Sequence, residues 1–169
     1  MDSDEVSYSH LVSDLNKDQY AEHRLPPDLE RRQFDPSCHP ISARTLLNLA
    51  YQSGGGDVRD TDDWWNEISR DAEFDIALCL AVFDRNSDQL VAFAHGWTSG
   101  FVKDIAVHPD FRRSGLGQFL VRELARVFLE RGFCQMSLKV MRDNPHGALS
   151  FYSALGFKPL ETSEPVNEG

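Results

Sequence analysis

No apolar run in this 169-residue chain approaches the roughly 18 residues of a membrane-spanning helix, and no basic stretch leads into an apolar one near its start. Neither a membrane span nor a secretory signal is expected. Cysteine is scarce: Cys38, Cys79 and Cys134 are odd in number and lack metal-ligand spacing, so no disulfide framework and no metal site are expected. A reducing, cytoplasmic setting follows as the default. Basic residues are in the minority, 17 Lys and Arg against 27 Asp and Glu, for a net charge of -10. That balance argues against nonspecific binding of nucleic acid, which needs Lys and Arg to neutralise phosphates.

Two phosphate-binding signatures are also missing. Gly115-Leu116-Gly117-Gln118-Phe119-Leu120 lacks the third glycine of the dinucleotide fingerprint, and no Gly-Lys-Ser/Thr follows to make a P-loop. What is there is FVKDIAVHPDFRRSGLG, residues 101–117, in which an apolar strand passes through His108-Pro109 into two arginines and two spaced glycines. Leu116, Leu120, Leu124, Val127 and Phe128 then recur at helical spacing. Gly115 and Gly117 let backbone N–H groups approach a ligand at the positive end of that helix. Arg112 and Arg113 add charge and directed donors, which suits an anion, best a pyrophosphate. A plain strand-to-helix turn is the alternative for these six residues taken alone.

The helix ends at Arg131-Gly132, residues 136–140 (MSLKV) read as a strand, and Asn144-Pro145 reads as the cap and first position of a second helix. That helix carries Ala148, Phe151, Tyr152 and Leu155 and stops at Gly156. Upstream, Ile76 to Phe83, Leu90 to Trp97 and Phe101 to Val107 read as strands, with Asp84 to Asp88 as a hairpin loop. Ser42 precedes a helix through Leu46, Leu47 and Ala50 that ends at Gly54-Gly55-Gly56, and Thr61 or Asp62 caps another bearing Trp64, Trp65 and Ile68. Residues 1–40 are polar and broken by Pro26-Pro27 and Asp35-Pro36, so a loosely packed extension is expected, with Val6 to Val12 as its strand-like piece. The division is thus an extension over 1–40, one domain over 41–161 and a tail over 162–169.

In order, these features resemble the GCN5-related N-acetyltransferase (GNAT) superfamily over residues 77–159. The resemblance is carried by the strand ending Ile105-Ala106-Val107-His108-Pro109, the Arg112-x-x-Gly115-x-Gly117 loop, Asn144, Phe151-Tyr152 and Gly156-Phe157. It implies an α/β (α+β) fold whose mixed, mostly antiparallel sheet has helices on both faces, with the fourth and fifth strands, 101–107 and 136–140, splayed apart. It implies acetyl-coenzyme A as acyl donor, its pantetheine arm on the backbone of Ile105, Ala106 and Val107. Its pyrophosphate would rest on the N–H groups of Arg113, Ser114, Gly115, Leu116, Gly117 and Gln118, with Arg112 as a further coenzyme-binding residue. Tyr152 is similar to the tyrosine that protonates the departing thiolate, and Asn144 is either a helix cap or a pantetheine contact. An N–H near Ile105 would polarise the thioester carbonyl, a contribution of about 3–4 kcal/mol per donor.

The acceptor side is less defined. A protonated amine needs a base or a water chain, and Asp104 is the local candidate, with an ion-pair role as its alternative. Lys103 stands where many members of the family carry a glutamate, and strand alternation puts Lys103 and Asp104 on opposite faces. His95 and His108 are candidate shuttles or structural groups. Trp64-Trp65 beside Glu67 form either an aromatic site for a cation or core. Gly54 to Gly56 are either a helix stop or a loop that closes on substrate. The acids from Asp57 to Asp75, facing Arg59 and Arg70, are either a solvated face or a surface that steers a cationic amine. Few residues follow Gly156-Phe157, so the family's usual final strand must be absent or come from residues 1–40 or from a second copy in a homodimer.

The expected activity is transfer of an acetyl group to a small-molecule primary amine by direct attack. A protein N-terminus or lysine is the alternative acceptor. A silent domain that senses acyl-coenzyme A is the alternative class.

Overall fold

The computed structural model describes residues 8–16, 24–51, 61–141 and 147–160. Among these residues seven strands form one sheet: β1 (Tyr8–Asp14), β2 (Leu29–Gln33), β3 (Cys79–Asp84), β4 (Leu90–Gly96), β5 (Phe101–Val107), β6 (Gln135–Met141) and β7 (Lys158–Pro159), in the spatial order β2-β3-β4-β5-β6-β1-β7. The described residues also form the helices α1 (His39–Tyr51), α2 (Thr61–Ser69), α3 (Leu116–Glu130) and α4 (Ala148–Ala154). Every paired neighbour is antiparallel except β5 and β6. This is the mixed α/β fold expected of the chain.

β3 and β4 are buried on both faces and apolar at nearly every position, since a strand covered on both sides needs no polar alternation. On one face, Leu116, Leu120, Leu124 and Phe128 of α3 pack on Leu80, Val82, Val91, Val102 and Leu138. On the other, Leu46 and Leu47 of α1 and Trp64 and Ile68 of α2 pack on Ala81, Phe83, Phe93 and Ala106. Trp64 is therefore core; Trp65 rests partly buried on the same cluster, its ring beside Phe34 and Phe74 at 5.5 Å each.

Among its described residues the N-terminal stretch holds two strands rather than one. β1 pairs with β6 along its whole length, from Tyr8 opposite Met141 to Asp14 opposite Gln135, and Leu11 is buried in the α3-side core. It also pairs with β7 at two residues. β1 thus lies between β6 and β7, inside this half of the sheet rather than apart from it. β2, LERRQ, has no apolar pattern to reveal it; it is an edge strand on β3 and buries only Leu29. Its charged residues suit an edge, which they protect from pairing with another chain. Arg31 is ion-paired with Glu123 of α3, which also meets Arg126 at 2.7 Å.

Three boundaries differ from the sequence expectation. α1 begins at His39 rather than after Ser42, with Pro40 inside the first turn, where its missing N–H costs no helical bond. Residues 76–78 are a 3-10 turn and not strand, because the Asp75 side chain accepts the Ala77 N–H and caps it. α4 begins at Ala148 behind Gly147, which takes a left-handed φ of 68°. Asn144, like Gly54 to Gly56, lies outside the described residues.

Candidate active site

β5 and β6 run parallel and pair at two positions, Phe101 opposite Ser137 and Val102 opposite Leu138, which are the start of β5 and the middle of β6. Beyond that point β5 stays with β4 and β6 with β1, so a wedge opens between them. Among the described residues, the backbone of β5 from Lys103 to Val107 is then unpaired on its wedge side and can bond an extended ligand as an added strand would. The His108 N–H donates to the Val91 carbonyl, on the β4 side. Since successive N–H groups alternate in direction, those of Ile105 and Val107 point into the wedge.

A bulge sits where the wedge begins. His95 is opposite Asp104 and Gly96 opposite Val102, which leaves Lys103 as an extra residue on β5. The bulge overrides simple alternation. Lys103 and Asp104 lie on the same cavity wall, and the lysine ammonium donates to Asp104 Oδ2 at 3.0 Å. The expectation of opposite faces fails because period-two alternation presumes an unbroken ladder.

The wedge runs into the loop before α3. Gly115 has φ 82° and Arg113 φ 66°, both left-handed, so the chain reverses twice within three residues before the helix starts. Backbone N–H groups at such a reversal and in a first helical turn lack helical acceptors and gather toward one side, the arrangement that binds anions. No heavy atom lies within 4 Å of where a Cβ on Gly115 would stand, so its glycine is required by conformation. Gly117 differs: a Cβ there would stand 3.1 Å from Cζ of Phe151, so it is glycine partly to let α4 close on α3. Sequence reasoning assigned both glycines to the ligand and missed that packing role, which depends on a contact across 34 positions (117 to 151).

Together these surfaces enclose a cavity of about 1290 Å³. Asp104, Ile105, Ala106, Val107, Arg112, Arg113, Gly115, Leu116, Gly117, Gln118 and Tyr152 all line it. Ser114 is not among its lining residues; its hydroxyl donates back to the Phe111 carbonyl. Lys103, Lys139, Trp97, Phe151 and Tyr8 also line the cavity and were not proposed from sequence as site residues. Tyr8 enters only because β1 is threaded beside β6, a placement no local pattern announces.

Tyr152 packs between Phe151 and Phe157, with ring centroids at 5.0 and 5.5 Å, and burial pushes its hydroxyl up to about 12. It is protonated at neutral pH. His95 is fully buried behind the cavity wall and burial holds it near 4, so its ring is neutral at neutral pH. Its rings of contact are Trp97 at 4.5 Å and Phe74 at 5.8 Å. His108 Nδ1 accepts the Asp110 N–H at 3.1 Å and caps the turn after β5. No helix among the described residues is long and apolar enough to cross a membrane, and no metal-binding group of His, Cys, Asp or Glu is found among them.

Comparison with known proteins agrees with this architecture. Residues 41–157 match the model of the acetyltransferase (GNAT) family. The chain is similar to the thialysine N-ε-acetyltransferase of Bos taurus, 34% identical over 64 residues, covering 38% of this chain and 37% of that protein. It is similar to the glucosamine 6-phosphate N-acetyltransferase of Trypanosoma brucei brucei, 33% identical over 66 residues, covering 39% and 42%. Its matches thus span well under half the length of these relatives. Among solved structures, the GCN5-related N-acetyltransferase of Sphaerobacter thermophilus superposes with a TM-score of 0.76 at 19% identity, over 90% of this chain and 48% of that one, a likeness of fold. The chain belongs to the GNAT family.

Proposed function

We propose that this member of the GNAT family transfers an acetyl group from acetyl-coenzyme A to a primary amine on a small molecule, by direct attack of the amine on the thioester. The observation that carries the reading is the continuity of the wedge with the left-handed loop at the start of α3. One cavity offers unpaired strand backbone for a pantetheine arm and, at its end, helix N–H groups with Arg112 and Arg113 for a pyrophosphate. The named activities of the relatives, on thialysine and on glucosamine 6-phosphate, support a small-molecule amine.

Each residue then has a chemical task. The N–H groups of Ile105 and Val107 hold the arm, and the one nearest the thioester stabilises the oxyanion that forms when the amine nitrogen attacks the carbonyl carbon. As the carbon–sulfur bond breaks, the Tyr152 hydroxyl supplies the proton the thiolate takes up. The proton lost by the amine passes to Asp104 or to water beside it. The pairing of Asp104 with Lys103 favours a second reading, in which the carboxylate is occupied and the domain binds acyl-coenzyme A without turning it over.

The test is thiol release from acetyl-coenzyme A across a panel of small primary amines. The acetyltransferase reading expects steady turnover with at least one amine and a fall of about a hundredfold in kcat for Tyr152→Phe. Tight binding with no turnover of any amine leaves the sensor reading instead.

A further inference from the structure

The half of the sheet around the wedge presents an unusual charge for this chain. Met136, Leu138 and Val140 of β6, with Leu11 of β1, point into the core beneath α3. Alternation therefore turns Lys139, and Tyr8 on β1, to the opposite face. The β3–β4 half of that face is sealed by α1 and α2, through Phe34, Trp64 and Phe93. On the β6–β1 half, Lys139 and Tyr8 are exposed and line the cavity instead.

The chain carries a net charge of -10, yet among the described lining residues Asp104 is the one acid, set against Lys103, Lys139, Arg112 and Arg113. The arginines belong to the loop that opens α3. The lysines do not: Lys103 is at the bulge where the wedge begins, and Lys139 follows Leu138, the last β6 residue bonded to β5. Lys103 is matched by Asp104, while Lys139 makes no ion pair among the described residues. A simple cationic amine entering here meets like charge, which costs affinity. An amine that brings its own anion does not.

We propose that the acceptor is a primary amine bearing an anionic group, a carboxylate or a phosphate, which Lys139 holds with help from Lys103 while the amine nitrogen is turned toward Asp104. The inference rests on the acetyltransferase reading above and runs against the alternative in which acidic residues steer a cationic amine.

Two matched pairs test it: glucosamine 6-phosphate against glucosamine, and L-lysine against L-lysinamide. In at least one pair the anion-bearing member should have the higher kcat/KM by about tenfold or more, as a charge-assisted contact supplies. Lys139→Met should reduce that ratio by about tenfold, and the pair that shows the effect identifies phosphate or carboxylate as the anion read. Anion-free members that are equal or better in both pairs overturn the inference and leave the acetyltransferase reading standing. So does a ratio that survives both Lys139→Met and Lys103→Met. No transfer to any of the four overturns it as well, and the fault lies in the parent reading if the wider amine panel also gives no turnover.

Discussion

Replacing His95 by leucine should change how stability depends on pH. The imidazole is 0% exposed, and neither Nδ1 nor Nε2 has a hydrogen-bond partner among the described residues. Phe74 and Trp97 pack against it, and the charged groups that reach it are Asp104, Lys103 and Asp71. Burial is the dominant cause of its depressed pKa; Asp104 and Asp71 oppose the shift and Lys103 adds to it, for a value of about 4. An unfolded histidine titrates near 6.5, so between about pH 6.5 and 4 the unfolded chain binds a proton that the folded one refuses. Stability from this group is therefore complete above about pH 6.5 and lost as pH falls. By pH 4 the loss amounts to about 3 kcal/mol, a large part of the 5–15 kcal/mol typical of a domain. Urea unfolding of wild type and His95→Leu from pH 8 to pH 4 measures it. The leucine variant should gain about 3 kcal/mol on wild type across that range, whatever the offset between them at pH 8. Parallel stability curves would show that the imidazole is reached by water or by a partner, and the account of a dry wall behind the cavity would be wrong.

Other outcomes follow from the same geometry. Gly115→Ala forces a Cβ onto a left-handed residue and should cost about 1–2 kcal/mol of stability without a clash, read by urea denaturation. Glu123→Ala leaves Arg31 and Arg126 without their shared carboxylate and loosens β2 from α3, with an expected loss of about 2 kcal/mol in the same assay. Deleting residues 1–14 removes the full ladder on β6 and the buried Leu11, so the shortened protein should fail to give a cooperative unfolding transition. A truncated chain that still unfolds cooperatively and turns over acetyl-coenzyme A would show that β1 is dispensable to sheet and cavity.

The parts legible in the sequence are those whose signals are local. α3 shows in its leucine spacing, and β4 and β5 in apolar runs bounded by turn residues. The loop at Gly115 shows because a left-handed residue needs glycine. What escaped depends on distant partners. β2 has the sequence of a charged surface segment and becomes a strand because β3 has a free edge. β1 could be suspected from Val6 to Val12, but its place between β6 and β7 is decided by pairing across more than a hundred positions. The bulge at Lys103 is a property of the β4–β5 register, so the meeting of Lys103 and Asp104 had no trace in a period-two reading. Lys139 was passed over for a similar reason: a lone lysine in a strand looks like solvent-facing polarity until the strand beside it splays away.

Calorimetric titration of acetyl-coenzyme A into the wild-type protein and into Gly117→Glu tests the central claim most directly. The account predicts one-to-one binding in the micromolar range for wild type, with a rise in Tm at saturating ligand, and loss of both in a Gly117→Glu protein that remains folded. Absence of heat from the wild type at millimolar ligand, or normal binding by the variant, would contradict the assignment of the wedge and the α3 loop as the acyl-donor site.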